Sequence, residues 1–269
     1  MRWLFGPLLV ALSFLTLAPV GLSTATDREI SRSRGWYPLV GLLYGLLLVG
    51  VAELCRWLRI EAPLTAALLV AALAVSNRFL HLDGLMDVCD GVWGGRTVER
   101  RLEIMRDSRV GAFAVAGAGC VLLVKYGALT TLLAGDGTVW PALLFFPIVA
   151  RWTMTLLLTV FPYGRQQGIG TAFTSGGKPW LATAWALVFA GLIAAGTGGV
   201  AGLAVWAGVS VLALLMGMVL AKKLGGGLTG DCYGAVNEMV ESAALIVLVA
   251  LLARGWFGPP FAWFGLVTG

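Results

Sequence analysis

Three aspartates in one short segment are the residues whose spacing most directly suggests chemistry. Asp83, Asp87 and Asp90 follow one another at intervals of four and three residues within segment 81–91. Because an α-helix turns by about 100° per residue, this spacing places all three carboxylates on one narrow helical face. Carboxylates this close repel one another unless a cation lies between them. Oxygen ligands without a cluster of cysteines or histidines favour Mg²⁺ or Mn²⁺ over zinc, so the segment predicts a site for such an ion.

A second acidic face occurs in segment 225–241. Asp231 and Glu238 are seven residues apart and Glu241 follows three residues later, which again predicts one helical face. Small residues such as Gly234 lie beside this face and would let another helix approach closely. Two acidic helices that face each other would form a cradle for one or two divalent ions.

Basic residues lie between the two acidic segments. Arg106 and Arg109 are three residues apart, and a guanidinium group is suited to phosphate because it binds two oxygens at once. Acidic clusters for a metal ion together with arginines for phosphate indicate phosphoryl transfer. No GxxxxGK[ST] motif is present, which argues against a nucleotide-driven pump of that type. His81 is the only histidine and, beside the carboxylates, is a candidate proton acceptor.

The composition indicates that a membrane protein carries these residues. The chain has 269 residues, of which 59% are hydrophobic and 12% are charged, whereas a typical soluble domain is about 45–50% apolar and about 25% charged. This composition excludes an ordinary soluble enzyme and a disordered chain. The net charge of +5 comes without the interleaved basic and aromatic residues typical of nucleic-acid binding. The four cysteines form no CxxC pair, so we expect reduced thiols.

Apolar runs divide the chain into candidate membrane spans. A bilayer core of about 30 Å needs about 20 apolar residues per helix. The sequence contains eight candidates, or six to eight because two are short, at 3–20, 36–55, 62–75, 110–133, 140–161, 180–196, 200–221 and 242–256. We therefore predict an all-α fold, a polytopic integral membrane helical bundle, with residues 1–269 forming one domain. Its active-site segments would be 77–111 and 225–241.

The basic residues divide unevenly between the two sides of this arrangement. The loops after spans one, three, five and seven hold Arg28, Arg32, Arg34, Arg78, Arg96, Arg100, Arg101, Arg106, Arg109, Arg165, Lys178, Lys222 and Lys223, whereas the other side holds only Arg2, Arg56, Arg59 and Arg254. The positive-inside rule then places the first set and both acidic helices on the cytoplasmic side. Lys125 and Arg151 lie within predicted spans, where they would pair or snorkel. Segment 1–22 also fits a signal peptide, an alternative that stays open.

The acidic and basic segments together resemble one enzyme family, the cobalamin synthases (adenosylcobinamide-GDP ribazoletransferases). The resemblance is carried by segments 81–91, 100–111 and 225–241, with further landmarks at 13–19, 37–41, 150–152 and 168–170. Its most specific part is HLDGLMDVCDG joined to LEIMRDSRVG. The chain departs from the family at Asn77-Arg78-Phe79, where Thr-Gly-Gly is typical, and at Met86, where alanine is usual. Neither departure removes a carboxylate.

The resemblance implies a Mg²⁺-dependent phosphotransferase that acts in nucleotide-loop assembly, late in cobalamin biosynthesis. Mn²⁺ is the alternative metal ion. The 3′-hydroxyl of α-ribazole, or of its 5′-phosphate, would attack the phosphate nearest cobinamide in adenosylcobinamide-GDP. The products would be adenosylcobalamin, or its 5′-phosphate, and GMP. The enzyme would be a multi-pass protein of the cell (inner) membrane with its active site facing the cytoplasm. Its partners would be these substrates and the lipid bilayer, with no nucleic acid.

The resemblance also implies roles for individual residues. Asp83, Asp87 and Asp90 would be catalytic and hold the metal ion, Asp231 and Glu238 would complete the metal site, and Arg106, Asp107, Arg109, Thr229 and Glu241 would bind substrate or phosphate. Either His81 or one of the carboxylates would accept the hydroxyl proton. The preferred ribazole form, the number of metal ions, self-association and the docking of other enzymes of the pathway stay open.

Two other functions fit parts of the pattern. A CDP-alcohol phosphotransferase also uses an aspartate cluster that contains Asp-Gly, but its pattern has Ala-Arg where this chain has Met86-Asp87. An ion-coupled transporter would place acidic residues near mid-span in two corresponding halves. The sequence instead predicts the acidic residues at one membrane face, which ranks transport third.

Overall fold

The structure is a computed structural model that describes residues 2–18, 25–135, 137–164, 173 and 179–259, and these residues form helices and no β-sheet. The helices are α1 Arg2–Leu15, α2 Asp27–Ser33, α3 Tyr37–Trp57, α4 Ala62–Ser76, α5 Leu80–Gly94, α6 Val98–Ile104, α7 Ala112–Ala134, α8 Trp140–Val160, α9 Pro179–Lys223 and α10 Gly230–Leu252. A 3₁₀ turn, Arg34–Trp36, joins α2 to α3. The predicted landmark at 168–170 lies outside the described residues.

Five helices in the described part of the chain are long and apolar enough to cross a membrane. They are Asp27–Trp57, Ala112–Ala134, Trp140–Val160, Trp180–Lys223 and Gly230–Leu252. Helices α4 and α5 are bent by 87° at a short break and add a sixth span if the pair is counted as one. The chain is therefore a polytopic helical membrane protein, as its composition predicts. The upper count of six lies within the predicted range of six to eight, whereas eight is not reached by these criteria.

Helices α1 and α9 differ in form from the predicted spans. Helix α1 has only 14 residues, which is shorter than a span, and part of the predicted run 3–20 lies outside the described residues. Helix α9 has 45 residues, but Gly199 has φ 57° and ψ −139°, which are not helical values. This break divides α9 where the sequence separates the runs 180–196 and 200–221.

Helix α8 forms the centre of the bundle. Every residue from 145 to 155 is buried, because α3, α9 and α10 pack around it. The contact with α3 is made close by glycine: a Cβ at Gly41 would lie 2.6 Å from the Pro147 carbonyl oxygen, and one at Gly45 would lie 2.7 Å from the Leu144 Cα. Backbones this close are typical of membrane helices that pack through small residues.

The loops predicted to share the cytoplasmic side lie at one end of the bundle. Four pairs of hydrogen-bonded residues connect them: Arg78 to Ser13, Arg34 to Leu158, Gly164 to Leu228, and Arg101 to Lys223. At the other end, the α3–α4 and α7–α8 connections line a common cavity that includes Arg56, Ile60 and Thr138. The alternation of sides inferred from the basic residues is therefore compatible with the packing of the helices.

The last acidic segment is not a separate helix ahead of the last span. Helix α10 runs unbroken from Gly230 to Leu252, whereas the sequence predicted a boundary helix followed by a span at 242–256. Glu238 and Glu241 consequently lie well inside a candidate span. Both carboxylates pair there with buried basic residues, which favours an interior position over the predicted cytoplasmic boundary position.

Candidate active site

Helix α5 carries the three aspartates on one face, as their spacing predicts. Asp83 is exposed, and Asp87 and Asp90 are half-buried. The opposite face, which includes Leu85 and Val88, is buried in the core of the bundle. Asp83 lies in the first turn of α5, where a negative charge interacts favourably with the helix dipole. The accessible aspartate face is therefore the part of α5 that a polar substrate can reach.

Glycines bring α10 against α5 beside these aspartates. A Cβ at Gly84 would lie 2.7 Å from the carbonyl oxygen of Asp231, and one at Gly234 would lie 3.1 Å from the Cα of His81. The Thr229 hydroxyl, which is fully buried, donates to the Asp231 carboxylate at 3.1 Å. The structure thus brings Asp231 to the helix of the aspartates, and Thr229 orients Asp231 instead of presenting a free hydroxyl.

Asp90 has a structural role that the sequence did not reveal. Its carboxylate accepts the backbone N–H groups of Gly111 at 2.6 Å and Ala114 at 2.9 Å. Gly111 is the N-cap residue of α7 and has no side chain to cap the helix. Asp90 therefore supplies the cap from another helix, and both of its oxygens are engaged. This arrangement joins α5 to α7 and favours capping over the predicted catalytic and metal-binding role of Asp90.

Glu238 and Glu241 have basic partners inside the bundle. Lys125 of α7 donates to Glu238 at 2.7 Å and also pairs with Glu241. Arg151 of α8 pairs with the other oxygen of Glu241. The side chains of these four residues are between 0% and 6% exposed. Lys125 and Arg151 thus hold both carboxylates away from the surface, which favours a structural role over the predicted metal-ligand role of Glu238 and the predicted substrate contact of Glu241.

The sequence identified Lys125 and Arg151 only as residues that would pair or snorkel. A signal for their partners was present, since two basic residues within spans match two acidic residues in number. The interpretation of segment 225–241 as a boundary helix concealed that match. Tyr44 of α3 was missed altogether; its ring lies 4.7 Å from the Arg151 guanidinium carbon, in a cation–π contact.

His81 lies on the face of α5 opposite the aspartates. It is 1% exposed, and its Nε2 atom has no hydrogen-bond partner among the described residues. His81 precedes Asp83 by two positions, which corresponds to a rotation of about 200° around the helix axis. A proton acceptor for a substrate at the aspartate face must reach that substrate, so the structure favours a carboxylate over His81 for this role.

The predicted phosphate-binding residues lie in the exposed connection between α6 and α7. Arg106 is exposed. Arg109 donates to Asp107 at 2.5 Å, with side chains 88% and 36% exposed. The hydrogen bonds from Arg109 lower the pKa of the Asp107 carboxyl to about 2, and Asp107 raises the pKa of Arg109. Since α6 packs against α5, this connection is attached to the helix that carries the aspartates.

The carboxylates beside the contact of α5 with α10 have the right chemistry to bind a divalent ion, but they are not grouped as a complete set of ligands. No three His, Cys, Asp or Glu side chains are grouped as a metal site within the described ranges. Mg²⁺, however, is usually bound through one or two carboxylates together with water and substrate phosphates. Asp83, Asp87 and Asp231 are the predicted metal ligands that remain near the contact of α5 with α10, since buried ion pairs hold Glu238 and capping hydrogen bonds engage Asp90.

Comparisons with known proteins show the family to which this chain belongs. A family model described as cobalamin-5-phosphate synthase matches residues 7–249. The chain belongs to the cobalamin-5-phosphate synthase family. The matched range includes all ten helices at least in part. The family resemblance found in the sequence is therefore confirmed.

Individual relatives in this family are similar over nearly their whole length. Proteins named adenosylcobinamide-GDP ribazoletransferase are 41% identical in Geotalea daltonii, 37% identical in Desulforamulus reducens and 39% identical in Pseudomonas putida. These alignments cover 91%, 91% and 90% of this chain and 97%, 97% and 98% of the relatives. No solved structure matches the chain significantly.

Proposed function

We propose that this protein is an adenosylcobinamide-GDP ribazoletransferase. The observation that carries the proposal is the family match over residues 7–249, which contains the accessible aspartate face of α5. The donor substrate would be adenosylcobinamide-GDP, and the acceptor would be α-ribazole or its 5′-phosphate. An acceptor hydroxyl oxygen forms a bond to the phosphorus nearest cobinamide, the bond from that phosphorus to the bridging oxygen breaks, and GMP leaves.

The geometry supports a division of tasks among the residues at this face. Asp83, Asp87 and Asp231 would hold Mg²⁺, which neutralises the diphosphate and stabilises the leaving phosphate when bound. One carboxylate of the aspartate face would accept the proton of the attacking hydroxyl. Arg106 and Arg109 would contact phosphate from the exposed connection before α7. Positioning of the two substrates would supply much of the remaining rate enhancement.

The location of the protein is part of the proposal. Loops rich in basic residues lie at one end of the bundle, the end that contains Arg34, Arg78 and Arg101. Such loops favour the cytoplasmic side of a cell membrane. The aspartate face of α5 would then face the cytoplasm, where nucleotide-activated substrates occur.

The decisive experiment measures GMP released from adenosylcobinamide-GDP by membranes that contain this protein. Wild-type membranes should release GMP only when α-ribazole and Mg²⁺ are both present, and Asp83→Asn should abolish the release. Glu53→Gln is a matched control, because it makes the same change at an exposed acid of α3 near the opposite end of the bundle. If folded wild-type protein releases no GMP, ribazole transfer is wrong, and a CDP-activated lipid is the next donor to test.

A further inference from the structure

Four charged side chains meet at the middle of three helices. Lys125 lies near the centre of α7 and Arg151 near the centre of α8, while Glu238 and Glu241 occupy adjacent turns of α10. Two positive and two negative charges balance one another. Three ion pairs join them, with Glu241 shared between both basic residues. We call these four residues the charge cluster.

Stability alone is a weak explanation for the charge cluster. Charged groups in the interior of a membrane protein carry a large desolvation cost, and well-packed apolar residues are often at least as stabilising. An ion pair differs from apolar packing in being directional, because its hydrogen bonds constrain both the rotation and the height of a helix. The charge cluster is therefore suited to set the position of α10.

The contact between α5 and α10 needs such a constraint. It is built on Gly84 and Gly234, whose missing side chains let the two backbones touch. At these two positions no side chain interlocks with the other helix to fix the height of α10 along its axis. Glu238 is seven residues from Asp231, about two turns or about 10 Å along the helix. The height at which Lys125 holds Glu238 therefore determines the height of Asp231 beside α5.

Arg151 connects the charge cluster to the remainder of the bundle. Its guanidinium group lies over the ring of Tyr44, and the Tyr44 hydroxyl donates to the carbonyl oxygen of Leu15 at the end of α1. The Asn237 side chain also donates to Glu241, at 3.2 Å. A shift of α10 would thus disturb partners on α3, α7 and α8 together.

We propose that Lys125 and Arg151 are positioning residues for the transfer reaction. Through Glu238 and Glu241 they hold α10 at the height that places Asp231 against Gly84, the residue next to Asp83 in α5. Glu238 and Glu241 then act on neither metal nor substrate directly. This inference rests on the proposed function for its catalytic readout, and a distance measurement tests it separately.

A pair of neutralising substitutions separates positioning from metal binding. Lys125→Met and Glu238→Gln each leave one uncompensated buried charge, and each should lower kcat for GMP release by about tenfold or more and raise the Mg²⁺ concentration for half-maximal rate by about threefold. The double variant is again balanced, with Glu241 and Arg151 still paired, and should recover most of both values. If Glu238 were a metal ligand, the double variant would remain as impaired as Glu238→Gln, and the proposal would be wrong.

A purely structural role gives a different result. Lys125→Met would then reduce the thermal stability and yield of the purified protein, while the kcat and Mg²⁺ dependence of the folded fraction stayed at wild-type values. That outcome overturns the proposal. Arg56→Gln is the matched control, since it breaks an exposed ion pair with Glu53 on α3 and should change none of these measurements.

Distances between α5 and α10 test positioning without any substrate. Spin labels attached at Trp93 of α5 and Ile246 of α10, both exposed, report the relative height of the two helices in a background without the four native cysteines. Lys125→Met should shift or broaden the distance distribution, and the double variant should restore it. An unchanged distribution in Lys125→Met refutes the proposal even if the protein catalyses another transfer. If the wild-type protein releases no GMP but Lys125→Met still shifts the distance distribution, only the proposed function is refuted.

Discussion

The backbone of Gly84 lies directly against the backbone of Asp231. A Cβ at position 84 would stand 2.7 Å from the Asp231 carbonyl oxygen and 3.0 Å from its Cα. Both atoms belong to the main chain, so neither can move aside as a flexible side chain can. This contact determines how closely the aspartates of α5 approach the acidic first turn of α10.

Gly84→Ala is therefore expected to force the two helices apart. Overpacking of this kind costs about 1–3 kcal/mol, and a shift of about 1 Å between catalytic groups can reduce the rate by about a hundredfold. The measurement is GMP release per folded protein, together with the melting temperature in detergent. Gly119→Ala on α7 is the control, because a Cβ there meets nothing within 4 Å. Equal activity in both variants would contradict the importance of the contact.

Asp90 should contribute to stability more than to chemistry. Asp90→Ala removes the acceptor for the first N–H groups of α7 and is expected to cost about 1 kcal/mol. Asp90→Asn keeps one acceptor oxygen and should cost less. Thermal melts of the purified variants give the comparison, and activity is normalised to folded protein. A complete loss of activity in a well-folded Asp90→Asn protein would show that Asp90 also takes part in the reaction.

The connection between α4 and α5 contains two non-glycine residues whose backbone is in the left-handed helical conformation. Arg78 has φ 57° and Phe79 has φ 58°, a conformation that costs an L-residue roughly 1–2 kcal/mol. Arg78 gains a compensating hydrogen bond to the carbonyl oxygen of Ser13 at 2.9 Å. The glycines that the resemblance implies as typical of the family at these two positions would adopt this conformation readily.

Phe79→Gly is accordingly expected to stabilise the protein, by up to about 1 kcal/mol after the greater backbone entropy of glycine in the unfolded chain is subtracted. A higher melting temperature checks this expectation. Phe113→Gly tests the same loss of a half-exposed ring, since the two side chains are 50% and 49% exposed. Phe113 is helical, so its replacement should lower the melting temperature. A decrease in both variants would mean that the ring of Phe79 matters more than its backbone.

The Asp107–Arg109 pair should not titrate during catalysis. Hydrogen bonds from Arg109 lower the pKa of Asp107 to about 2, so the pair is intact at neutral pH and is lost only as the pH falls through about 2. Asp107→Asn should consequently leave the shape of the profile of kcat/KM against pH unchanged between about pH 5 and 9. A displaced limb in that range would place a different titrating partner beside Asp107.

Much of the local arrangement follows from sequence alone. The spacing of Asp83, Asp87 and Asp90 predicts one helical face, and the structure contains that face. Composition predicts a helical membrane protein, and the described residues form one. These predictions succeed because helical periodicity and transfer of apolar residues into lipid depend on residues that are close in sequence.

The partners of the acidic residues were decided only by tertiary structure. Spacing alone gives Asp90 and Asp83 equivalent positions, yet one caps α7 and the other is exposed. Glu238 and Glu241 resemble ligands in the sequence, but Lys125 and Arg151 reach them from helices more than 80 residues away. Helical periodicity determines which side chains share a face, whereas the packing of distant helices determines what that face meets, and the charge on that neighbour decides whether a carboxylate remains available to a substrate.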